Sequence, residues 1–96
     1  MEIVTQTFKL RPGADREAFL AADKAMQEEV VYQLPGLVRR TVAHNAERDD
    51  VLFVTFWAGD PGYHRDEFAN NPLTKAVGEF IDESTIAGWQ YQDIGG

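Results

Sequence analysis

The chain has 96 residues and a formal net charge of −7, from 9 basic and 16 acidic side chains. That balance excludes nonspecific nucleic-acid binding, which needs a basic surface to displace counterions, and it offers no attraction to anionic lipid. The absence of cysteine removes disulfides, thiolate catalysis and cysteine-ligated metals from consideration.

A chain of this length is expected to form one domain, residues 1–96. Such a small core is only marginally stable alone, so association is an expected source of further burial. No apolar run approaches the roughly 18 residues of a membrane span. The first residues read as a strand and show no signal-peptide pattern, so a cytoplasmic protein is the expectation.

Glu2 to Leu10 reads as the first strand, rich in β-favouring residues. Alternation places Val4, Gln6, Phe8 and Leu10 on one face and Ile3, Thr5, Thr7 and Lys9 on the other. Pro12-Gly13 stops it. Ala14 to about Tyr32 reads as a helix, with Phe19, Ala22, Met26 and Val30 as its apolar stripe. Asp15 is a candidate N-cap. Asp23 and Gln27 are assigned to the wet side, with Glu17, Lys24 and Glu28. Pro35-Gly36 ends the segment.

A hairpin follows, from Leu37 to His44 and back from Val51 to Trp57, with polar turn formers between. If His44 faces Val51, then Val38, Arg40, Val42 and His44 share a face with Val51, Phe53, Thr55 and Trp57. Leu37, Arg39, Thr41 and Ala43 then share the other face with Leu52, Val54, Phe56 and Ala58. A one-residue slip would exchange these partners. Both faces are apolar, so the returning strand is expected to be covered on both sides.

Asp60 is a candidate cap with Pro61 after it, opening a short piece from Tyr63 to Ala69. Asn71 caps a second helix whose apolar stripe is Leu73, Ala76, Val77, Phe80 and Ile81. Thr85 to Ile94 reads as the last strand, with Trp89, Tyr91 and Asp93 on one side and Gln90, Gln92 and Ile94 on the other.

The order strand, helix, strand, strand, broken helix, strand predicts an α+β, ferredoxin-like βαββαβ fold. It has a four-stranded antiparallel sheet and helices on one face. The uncovered face reads as too apolar for water. A second copy packed sheet to sheet is the economical cover, giving a homodimer with a barrel-like interior.

Certain stretches then look familiar: Leu10 followed by Arg11-Pro12-Gly13, Leu34-Pro35-Gly36 followed by Leu37-Val38-Arg39-Arg40, and Phe53-Val54-Thr55-Phe56-Trp57-Ala58 before a broken helix with Phe68 and Asn71-Pro72. Over nearly the whole chain this resembles the antibiotic biosynthesis monooxygenase-like branch of the dimeric α+β barrel proteins. The resemblance implies a pocket between sheet and helices. It also implies a cofactor-independent monooxygenase acting on a small aromatic or polyketide-like substrate, whose own carbanion reduces oxygen without metal or flavin. Trp57, Tyr63, Arg40 and Asn70 lie in regions that suit the Trp, Tyr, Arg and Asn groups of such enzymes. Haem-degrading relatives place an Asn near the first strand and a Trp on a helix; here the first strand carries Gln6 and no expected helix carries Trp.

Each candidate has a plainer reading beside it. His64 is a histidine, the side-chain type whose unperturbed pKa lies near neutrality, and suits a general base on a phenolic or enolic substrate; otherwise it is a surface histidine beside Asp60, Asp66 and Glu67. Arg40 is an anion or enolate anchor, or it pairs with a helix acid or a second subunit. Trp57 is a flat wall for an aromatic ligand, or it is packing. Thr5, Thr7 and Thr55 are expected to soften the Trp57 face, a mixture that suits a small-ligand pocket. His44 and His64, on different elements, make a poor metal site. The competing functions are a noncatalytic dimeric module that binds a small ligand, a stress-responsive α+β barrel protein, and an isomerase or cyclase on the same scaffold.

Overall fold

Short polar side chains start the helices where capping chemistry directs. In the computed structural model, which describes residues 1–96 with the side chain of Tyr63 excepted, Asp15 accepts a hydrogen bond from the Glu17 N–H at 3.0 Å and opens α1, Arg16–Glu29. Asp60 accepts from the Gly62 N–H at 2.9 Å and opens a single 3₁₀ turn, Pro61–His64, which runs into α2, Arg65–Asn70. Asn71 accepts from the Leu73 N–H at 2.9 Å and opens α3, Pro72–Gly78, with Pro72 at its first position.

The strands are β1 (Glu2–Leu10), β2 (Leu37–Asn45), β3 (Asp50–Trp57) and β4 (Ile81–Gln92). They form one antiparallel four-stranded sheet in the order β2-β3-β1-β4. The helices cover one face of it, as the element order predicts. Four phenylalanines form the centre of the core. Phe8 meets Phe53 edge-on at 4.8 Å between centroids, Phe19 stacks on Phe53 at 6.3 Å, and Phe80 meets Phe19 at 6.1 Å. Met26, Val30, Val51, Val77 and Ile81 close around them.

The hairpin keeps the expected register from His44↔Val51 to Arg39↔Phe56, but a bulge follows and Leu37 lies opposite Trp57. Leu37 therefore packs on the core, and Val38, expected beside Arg40, is 55% exposed. The bulge follows a tight turn. Gly36 has φ +89°, a conformation that glycine adopts without strain, and its carbonyl accepts from the Ala58 N–H at 2.7 Å. That bond fixes the chain opposite Ala58 and leaves one residue too many in β2.

Two further expectations are corrected. The second helical stripe does not reach Ile81, because α3 ends at Gly78 and Ile81 begins β4 opposite Leu10. Arg11 holds that crossing: its N–H donates to the Phe80 carbonyl and its Nε to the Ile81 carbonyl at 3.0 Å. Thr5 and Thr7 lie on the opposite face from Trp57, since Thr5 pairs with Val54 and Val4 with Thr55.

The face away from the helices carries Ile3, Val54, Phe56, Trp89 and Tyr91 in adjacent strands. Trp89 is 66% and Tyr91 53% exposed. The Arg39 guanidinium lies 5.7 Å from the Phe56 ring centroid on this side. No helix among the described residues is long and apolar enough to cross a membrane.

Candidate functional site

Strand alternation sends one set of side chains from all four strands toward the helices. At the Trp57 end of the sheet those side chains are not fully covered, and a cavity of about 240 Å³ remains under the Pro61–His64 turn and α2. Its walls are largely apolar: Val4, Val31, Leu34, Phe53, Trp57 and Phe68. Its polar groups are Gln6, Arg40, Thr55, His64, Arg65 and Gln90. Polar groups set into a mostly apolar surface are the pattern of a small-ligand site. Its volume is below the roughly 300 Å³ where drug-sized pockets begin, which suits a ligand of few rings.

Arg40, Thr55, Trp57 and His64 thus meet in one cavity. Asn70 does not join them: it is exposed at the end of α2 and is not among the lining residues. The side chain of Tyr63 lies outside the described residues. His44, exposed at the hairpin turn, has Nε2 3.0 Å from Asp49 Oδ1, a hydrogen bond that holds the Asp49 carboxyl below its ordinary range.

Arg40 is not positioned as a bare anion anchor. Its Nη1 donates to Asp23 Oδ2 at 2.8 Å and to Gln27 Oε1 at 3.0 Å, and its Nη2 donates to Asp23 Oδ1 at 2.7 Å. The Arg40 and Asp23 side chains are only 2% and 5% exposed. The guanidinium also lies 4.4 Å from the Phe53 ring centroid. Each charge has a matched, bidentate counter-charge, so the pair presents little net charge to a ligand. Its work is to tie α1 to β2 and hold Phe53 in the cavity wall.

Asp23 and Gln27 were assigned to the wet side of the helix, and this assignment is corrected. Both follow Phe19 at four-residue steps and so lie on its face of α1. The signal was there in the spacing: an acid on the buried stripe, opposite an arginine on an apolar strand. Treating charge as a mark of solvent exposure hides it.

Trp57 and Thr55 form a second unit. The Trp57 indole N–H donates to Thr55 Oγ1 at 2.8 Å. The indole's one donor is therefore used within the protein, and the ring offers a flat apolar surface. Thr55 accepts that bond and keeps its own O–H to donate. His64 follows from the Asp60 cap, which starts the turn that carries it over the cavity. Its side chain is 17% exposed, with Nδ1 3.9 Å from the Glu67 carboxylate one turn on. That is the outer edge of ion-pair distance, longer than a hydrogen bond.

No family model matches the chain, and no curated protein matches it either. Solved structures do. A protein of Mycobacterium tuberculosis, Rv0793, superposes with a TM-score of 0.71 at 20% identity, over 99% of this chain and 96% of its own. SnoaB, a cofactor-independent oxygenase from Streptomyces nogalater, gives 0.75 at 13% identity, over 99% and 94%. A structure described as an antibiotic biosynthesis monooxygenase gives 0.74 at 12%, over 99% and 100%. The chain has the fold of the antibiotic biosynthesis monooxygenase-like proteins, so the resemblance read from its sequence holds at the level of fold.

The ion pair has a measurable signature. Asp23→Ala leaves a buried guanidinium without its partner and is expected to lower unfolding free energy by about 3–5 kcal/mol in urea titrations. The double change Asp23→Leu with Arg40→Met is expected to restore most of that loss. A loss below about 1 kcal/mol for Asp23→Ala would show that the pair does not hold α1 to the sheet.

Proposed function

We propose that the protein is a cofactor-independent monooxygenase acting on a small aromatic substrate in the helix-side cavity. The observation that carries this reading is the convergence of Trp57, Thr55 and His64 on one small, mostly apolar space. The fold it shares with SnoaB supports the reaction class.

The aromatic body lies against Trp57 and Phe53. His64 takes a proton from a C–H acidified by a neighbouring phenol or carbonyl. Thr55 donates to the enolate oxygen. The delocalised carbanion is itself the reductant: it passes an electron to O₂ and then combines with it at carbon, forming a peroxide anion. His64 returns the proton to give the hydroperoxide. Loss of water with the second C–H proton leaves a carbonyl. A methylene and O₂ thus become a ketone and H₂O. Arg40, held by Asp23, shapes the wall and does not take part in proton transfer.

A noncatalytic ligand-binding module is the second reading. The neutralised Arg40 favours it, because the guanidinium expected to anchor an enolate is already paired with Asp23. Oxygen uptake with anthrone separates the two. The monooxygenase reading expects one O₂ consumed per anthraquinone formed, without hydrogen peroxide, and a rate lowered about 10²-fold or more in His64→Ala. Uptake at the buffer rate, or an unchanged rate in His64→Ala, would leave only the binding module.

The open sheet face supports a homodimer. Adjacent Trp89 and Tyr91 beside Ile3, Val54 and Phe56 make an apolar surface that a second copy of the same face would cover. Light scattering at micromolar concentration is expected to give twice the chain mass, and Trp89→Glu to give the monomer mass. A wild-type monomer would contradict this arrangement.

A further inference from the structure

The charge on the cavity differs from the charge on the molecule. Acidic residues outnumber basic ones 16 to 9 along the chain. Among the described residues that line the cavity, however, there is no Asp or Glu, while there are two arginines, a histidine and two carboxamides. A cavity lined in this way offers a cation no carboxylate and offers an anion several donors.

Arg40 cannot supply the charge, because Asp23 balances it at 2.7 Å. Arg65 is different. Among the described residues its guanidinium makes no ion pair and no hydrogen bond. Each of the other arginines has a partner: Arg11 the Ile81 carbonyl, Arg16 and Arg48 aspartates, Arg39 the Phe56 ring, and Arg40 Asp23. Asp60, nearby in the turn, caps the Gly62 N–H at 2.9 Å and does not pair with Arg65. Gly62 lies beside both groups: a Cβ there would crowd Asp60 Oδ1 at 3.2 Å and meet Arg65 Nη2 at an ordinary 3.8 Å.

We infer that the ligand is an aromatic carboxylate whose charged end is held at the cavity mouth by Arg65. The inference rests on the reading of this cavity as a ligand site and names the class of ligand it selects. A guanidinium presents two parallel N–H groups that match a carboxylate's two oxygens, a geometry a phenol or ketone cannot use. The ring then reaches inward to Trp57 and Phe53, which places its hydroxyl-bearing carbon under Thr55 and His64. Specificity comes from the charged end at the mouth, and orientation of the reacting carbon follows from it.

The test compares two probes with the same rings, 1-hydroxy-2-naphthoate and its uncharged methyl ester, by isothermal titration of the full chain. Wild-type protein is expected to bind the acid at least about tenfold more tightly than the ester. Arg65→Ala removes that preference and leaves the ester affinity unchanged; Arg65→Lys keeps part of it. Raising salt weakens the acid alone. Equal wild-type affinity for acid and ester, or an acid preference that survives Arg65→Ala, overturns the role of Arg65 and leaves the cavity as a site for neutral ligands. Failure of both probes to bind overturns this inference together with the reading of the cavity as a ligand site.

Discussion

The buried pair between Arg40 and Asp23 is the constraint on which the rest of this small protein depends. Two opposite charges have been taken out of water in a core of few residues, an arrangement that holds only when each is fully met by the other. The bidentate geometry at 2.7 and 2.8 Å meets that condition, and Gln27 takes a further N–H. The pair therefore fixes where α1 lies over β2. On one side of it the space between helix and sheet is filled by Phe8, Phe19, Phe53 and Phe80. On the other it is left partly open as the cavity under the Pro61–His64 turn. Phe53 belongs to both, so the ion pair marks the boundary between packed core and cavity.

This division also explains why charge is placed as it is. A cationic side chain used to hold the fold is neutralised where it stands, and the cation proposed to meet a ligand, Arg65, begins α2 directly after the turn that the Asp60 cap starts. His64 and Arg65 are neighbours in sequence, and in the proposed reading they serve opposite ends of a ligand: the reacting carbon and the anionic group. The two tryptophans divide the sheet in the same way. Trp57, 7% exposed, forms the cavity wall on the helix side; Trp89, 66% exposed, lies on the face that has no cover within one chain.

Much of the fold was legible because it rests on local chemistry. The caps at Asp15, Asp60 and Asn71, the breaks at Pro35-Gly36 and Pro72, and the register from Arg39 to His44 all follow from residues close in sequence. What was not legible depends on distant contacts. The bulge at Val38 arises from a bond between Gly36 and Ala58. The early end of α3 arises from Arg11 taking the Phe80 and Ile81 carbonyls. The burial of Asp23 needs Arg40 in place, and which helix acid meets Arg40 depends on how α1 packs on β2. Of the candidate site, the residues set by strand alternation beside Trp57 were found, namely Thr55 and Arg40. Gln6 and Gln90 were missed because they join the cavity face only through the pairing of β1 with β3 and β4, and Arg65 because its membership depends on how the turn folds over the sheet.

The central claim is that the helix side of the sheet binds the ligand and the open side binds a second copy. The two indole N–H resonances, one on each face, report on this directly in a proton–nitrogen NMR titration with 1-naphthol. A ligand stacked in the cavity shifts the Trp57 resonance, whose N–H donates to Thr55 at 2.8 Å, and leaves that of Trp89 in place. A shift confined to Trp89, or no shift of Trp57 as ligand is added to saturation, would contradict it.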